Sequence, residues 1–131
     1  MVLAAALPIL LVVGRRKWFF WDEWDFLAQR GLHGHGLAEA VARLFRPHNE
    51  HWSTLPILVY RLLFALFGVR HYLPYQAVVV LVHLAVCLAL WFIMVRAGAS
   101  AWVATALGAV FALFGAGSQT SLWAFQIGFD R

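Results

Sequence analysis

At 131 residues, 63% apolar and 12% charged, the chain sits far from soluble domains, which run at about 45–50% apolar and about 25% charged. That balance excludes an ordinary water-soluble domain and predicts an all-α integral membrane protein. The building unit is then a spanning helix of roughly 20 apolar residues, and about three fit. The formal charge of +4 is spread over separated arginines and one cluster, Arg15, Arg16 and Lys17; such a distribution suits lipid headgroups or phosphate, and no nucleic-acid motif accompanies it. A single cysteine, Cys87, excludes an intrachain disulfide and a thiolate metal cluster.

Residues 1–21 predict an anchor helix. Its apolar core, Met1 to Val13, covers only about 20 Å at helical rise and borrows the following "GRRKWFFW" to cross. No small-residue cleavage site follows, which favours an uncleaved anchor over a signal peptide. With the N-terminus inside, Asp22 emerges at the outer surface and the basic cluster must snorkel to outer headgroups.

An outer loop, 22–73, then carries most of the polar groups. The string "WDEWDF" (21–26) sets Asp22, Glu23 and Asp25, half of the chain's six acids, among tryptophan and phenylalanine. Helix capping by Asp22, with Asp25 three residues on, accounts for part of this. One cap does not need three carboxylates, and an acid walled by aromatic rings at the end of a spanning helix is where burial raises a pKa and suits a general base. "LAEAVARLF" and the arginine after it predict an amphipathic surface helix over 37–46, stopped by Pro47.

The second polar knot is "PHNEHW" (47–52). His48, Asn49 and His51, with Glu50 between them, offer N–H donors for an anionic group. They also read as a loop before a helix, with Ser53 or Thr54 as cap and Pro56 in the first turn. A zinc set can be assembled from these histidines, His33, His35 and an acid, but without an HExxH or Cys/His framework no metal is expected. A second surface helix follows over 55–68, short for a span and with Arg61 at its centre; a return crossing is the competing topology.

The clearest span is 75–95, preceded by Pro74 in the first-turn position. "RAGAS" links it to an apolar run over 101–117, and the two predict a transmembrane hairpin with Arg96 on the cytoplasmic side. His83, in mid-span, should face another helix and hydrogen-bond there. Residues 118–131 form an outer interface segment. In it Gln119, Gln126 and Asp130 can face the same surface as Asp22, with Trp123 and Phe125 as belt residues.

This order of parts resembles the N-terminal part of the C-type membrane glycosyltransferase superfamily: an anchor ending in an acidic pair "DE" (22–23), two surface helices, Trp52 four residues before Pro56, "FG" at the end of the second helix, then a hairpin. More narrowly it resembles a group of bacterial membrane proteins carrying "DEWDFL", "PHNEHW" and "WAFQIGF", found here at 22–27, 47–52 and 123–129. The resemblance implies a multi-pass protein of the bacterial inner membrane. Its implied activity is inverting transfer of a sugar from a polyprenyl-phosphate donor to an acceptor at the outer face.

On that resemblance Asp22 is the general base and Glu23 assists or binds the acceptor; His48, Asn49, Glu50, His51 and Gln126 are the candidates for binding substrate or phosphate. Sugar-transferring relatives often carry a Lys-Pro pair before the second surface helix. "EHWSTLP" stands there instead, so His48 or His51 takes the phosphate role. No cofactor is expected, although Asp22 and Glu23 would suit a divalent ion if the donor were a diphosphate. Such enzymes have roughly eight or more spans and three cannot enclose a lipid-donor cavity. The resemblance therefore implies an N-terminal piece completed by a C-terminal part or a partner membrane chain, and inactive alone. The alternative from a non-enzyme class is a small membrane subunit or scaffold binding a partner through its aromatic and His-rich loop.

Overall fold

The structure, a computed structural model, describes residues 2–19, 23, 24, 27, 28, 36–45 and 54–113. All regular secondary structure among the described residues is helical: α1 (Val2–Gly14), α2 (Leu37–Phe45), α3 (Thr54–Phe67), α4 (Leu73–Arg96) and α5 (Ala101–Leu113). Glu23, Trp24, Leu27 and Ala28 are helical too. These residues divide into two compact units, one of 2–17 with 76–113, the other of the described residues within 18–75.

In the first unit α1 buries Ala6, Leu10 and Gly14, four residues apart and therefore on one helical face. The core joins Ala6 and Leu10 to Val80, Leu84 and Cys87 of α4 and to Ala112 of α5, with Leu3, Leu7 and Leu11 packed around it. α5 buries Ala104, Gly108 and Ala112, whose four-residue spacing puts them on one helical face. The opposite faces are apolar and exposed, among them Ile9 and Val13 of α1, Phe92 and Ile93 of α4 and Trp102 of α5.

α4 and α5 form a hairpin whose corner obeys helix-end chemistry. Gly98, at φ 95°, and Ala99 donate to the carbonyls of Val95 (3.1 Å) and Met94 (3.0 Å), the pairing that satisfies the last carbonyls of a helix through a left-handed residue. Ser100 then caps α5: its carbonyl accepts from Ala104 N–H (3.0 Å) and its hydroxyl from Val103 N–H (3.3 Å). Along the hairpin the Trp91 indole N–H donates to Thr105 Oγ1 (3.1 Å). His83 Nε2 lies 3.3 Å from the Ala112 carbonyl, the helix-to-helix contact expected of a mid-span histidine.

α4 is 24 residues long and is long and apolar enough to cross a membrane. Only 17% of its most apolar window is buried, unlike the core helix of a water-soluble protein. α1 and α5, at 13 residues each, reach about 20 Å, short of a hydrocarbon core of about 30 Å. The described residues thus contain one helix of spanning length where the sequence predicts about three. The anchor differs most. Instead of running over 1–21, the helix ends at Gly14, where three consecutive cations that seek water follow. The later helices match their expected ranges within two residues at each described end, 114–117 lying outside the described residues.

A specific latch joins α1 to α4. The buried Gln76 amide donates from Nε2 to the Leu10 carbonyl (3.2 Å), and a Cβ built on Gly14 would lie 1.7 Å from that nitrogen. Gly14→Ala must expel the amide. Losing a buried hydrogen bond and stranding its polar groups costs about 1–3 kcal/mol, against at most about 1 kcal/mol gained in helix propensity. We predict a net loss of about 1–2 kcal/mol for Gly14→Ala, partly recovered in the Gly14→Ala/Gln76→Ala double variant, read by unfolding in detergent.

Candidate functional site

In the second unit α2 and α3 are fastened by Thr54. Its hydroxyl sits at the first residue of α3, where a cap was one expectation, yet it donates to the Leu44 carbonyl at the end of α2 (2.6 Å). A carbonyl in the last helical turn has no partner within its own helix, so the bond fills a vacant acceptor. Pro56 lies in the first turn of α3, as expected, where a missing N–H is harmless. α3 ends at Phe67, and Gly68 follows at φ 60°, its N–H donating to the Phe64 carbonyl (2.9 Å).

The five residues 68–72 then return the chain to the start of α4. Tyr75, in the first turn of that helix, donates its hydroxyl to the Gly68 carbonyl (3.0 Å). This bond closes the turn and places Tyr72 and Tyr75 beside Tyr60 of α3. The Tyr60 and Tyr75 rings are 5.3 Å apart, and those of Tyr72 and Tyr75 6.4 Å.

Glu23 enters this aromatic group with no exposed surface at all. Its Oε1 accepts from the Tyr60 hydroxyl at 2.8 Å and from the Tyr72 hydroxyl at 3.2 Å. Phe19 packs edge-on against Tyr72 (5.0 Å) and Tyr75 (4.9 Å), and its carbonyl accepts from the Trp24 indole (3.2 Å). A carboxylate removed from water is tolerated only when donors replace the water. Two phenols do so here, within a wall of rings. Burial first, then repulsion from the Glu23 carboxylate and the hydrogen bond to it, hold the Tyr60 hydroxyl well above the ordinary tyrosine range.

Of the catalytic and substrate-binding residues expected from sequence, Glu23 is the one described, and it is enclosed. Asp22, Asp25, His33, His35, His48, Asn49, Glu50, His51, Gln119, Gln126 and Asp130 lie outside the described residues. Among the described residues no cluster of three or more His, Cys, Asp or Glu is placed to hold a metal ion. The sequence reading missed Tyr60, Tyr72 and Tyr75. A signal was present, since these are all the tyrosines of the chain and fall within sixteen consecutive residues, 60–75. No known protein family's profile, no curated protein and no solved structure matches this chain.

The tyrosine clamp makes two expectations. Tyr60→Phe deletes the shorter donor to a buried carboxylate and should cost about 1.5–3 kcal/mol, with Tyr72→Phe costing less because its bond is longer. Below the ordinary tyrosine pKa of about 10, folded and unfolded chains both carry the neutral phenol and its contribution is complete. Above it only the unfolded chain sheds the Tyr60 proton, so stability should fall with rising pH by up to about 1.4 kcal/mol per unit from this group. Denaturant unfolding in detergent between pH 8 and 11 checks both. The alkaline loss should be shallower in Tyr60→Phe.

Proposed function

We propose that this chain belongs to a multi-pass protein of the bacterial inner membrane that transfers a sugar from a polyprenyl-phosphate donor to an acceptor at the outer face, with inversion. Asp22 is its general base. What supports the reading is the fully enclosed Glu23 carboxylate, held by Tyr60 and Tyr72, at the position next to Asp22 in the chain.

Burying a carboxylate is expensive, and a protein with six acids has spent one of them on it. Glu23 in this setting is a positioning residue, tied by its hydrogen bonds to Tyr60 and Tyr72 at the position next to the base. Productive geometry needs supporting groups of this kind, because a general base must sit within about 3 Å of the proton it takes. Asp22 removes the acceptor hydroxyl proton as the oxygen attacks the anomeric carbon. The bond from that carbon to the lipid-phosphate oxygen breaks, and the phosphate leaves with the electron pair. His48, Asn49 and His51 donate to phosphate, and Glu50 and Gln126 complete the substrate- and phosphate-binding set. No metal is used.

The same enclosed carboxylate would serve a scaffold whose aromatic and His-rich loop docks a partner, and activity separates the two readings. Asp22→Asn keeps size and capping ability, because asparagine caps about as well as aspartate, but lacks the basic oxygen. In membranes supplied with radiolabelled polyprenyl-phosphate sugars, transfer by the full-length protein should fall by about 10²-fold or more in Asp22→Asn. Asp25→Asn should stay within a few-fold, and both variants should express and melt like the parent. Equal transfer by the two variants would remove Asp22 from the chemistry, and absence of transfer by the parent would favour the scaffold.

A further inference from the structure

α1 ends in a cationic turn that the transfer chemistry does not use. After Gly14 the Arg15 N–H donates to the Val12 carbonyl (3.3 Å) and the Lys17 N–H to the Gly14 carbonyl (2.8 Å), so the backbone folds back on the helix end. Arg15, Arg16 and Lys17 are all exposed. These consecutive residues hold three of the ten lysines and arginines of the chain. Among the described residues none of the three side chains has an ion pair or hydrogen bond.

Three like charges within one turn repel one another. The negative end of a helix dipole offsets part of that repulsion and no more, since its effect is confined to the last turn. The remainder calls for an anion. The last turns of α1 say which kind: Ile9, Val12 and Val13 are large, apolar and exposed, so the cations stand where an apolar exposed helix surface gives way to polar groups. A soluble anion would gain nothing from that apolar approach. A phospholipid matches both parts, its acyl chains against the valines and isoleucine and its phosphate against the forked guanidinium donors, which suit phosphate oxygens bidentately.

From this juxtaposition we infer that Arg15, Arg16 and Lys17 form a binding site for the phosphate of an acidic phospholipid supplied by the surrounding bilayer. The site is independent of the sugar-transfer reading, because it needs only α1 and its terminal turn.

Native mass spectrometry of the full chain, released from detergent micelles doped with either phosphatidylglycerol or phosphatidylcholine, tests it. The parent should retain phosphatidylglycerol over phosphatidylcholine. The triple variant R15Q/R16Q/K17Q should lose about 100-fold in that preference, the product of roughly fivefold for each basic side chain near an anionic surface. The charge-conserving R15K/R16K variant should keep most of it, which separates loss of charge from loss of fold. Equal retention of the two lipids by the parent, or an unchanged preference in the triple glutamine variant, would overturn the inference. So would displacement of phosphatidylglycerol by millimolar inorganic phosphate, which would mark a site for free anions instead.

Discussion

A carboxylate without water must be met by donors, and in the second unit that requirement falls on Glu23. The donors come from far along the chain, Tyr60 at a separation of 37 residues and Tyr72 at 49. One oxygen atom therefore ties Glu23 to the middle of α3 and to the turn before α4. Losing either donor would leave a buried carboxylate short of a hydrogen bond, which is strongly destabilising. The surrounding rings of Phe19 and Tyr75 exclude water and so strengthen the two hydrogen bonds, while making their loss more costly.

The first unit obeys the same rule with neutral groups. Gln76, His83 and Trp91, spaced along α4, reach the Leu10 carbonyl, the Ala112 carbonyl and the Thr105 hydroxyl respectively. These three polar side chains of an apolar helix are each matched to a group on α1 or α5. Because lipid is as apolar as leucine, such matched pairs and the close contact of Gly14 with Gln76 can hold helices together where burial from water alone cannot. The exposed faces of the described helices are rich in leucine, isoleucine, valine and phenylalanine.

Much of this was legible in the sequence. The apolar run of α4, the glycine and serine that turn it into α5, and the proline-marked start of α3 follow from local rules that act over a few residues. His83 was legible because a polar side chain inside a span has few alternatives to a neighbouring helix. The Glu23 clamp was not, since acidic and aromatic residues in "WDEWDF" announce that a carboxylate is special without saying which one, and its partners lie 37 and 49 residues away. Nor was the end of α1. Apolar length suggested an anchor continuing through Arg15 to Trp21, whereas the helix stops at Gly14 under the amide of Gln76, a contact no local pattern encodes.

The account rests on Glu23 and Tyr60 acting as a pair, and a double-mutant cycle measures that directly. Glu23→Leu and Tyr60→Phe, singly and together, can be compared by denaturant unfolding of the detergent-solubilised chain. Each single variant leaves the other group short of one hydrogen bond, and the double variant removes that mismatch, so it should be less destabilised than the sum of the singles by about 1.5–3 kcal/mol. Strict additivity within about 0.5 kcal/mol would mean that the two groups do not hold each other, and the assignment of Glu23 as the residue that positions its neighbour would fail with it.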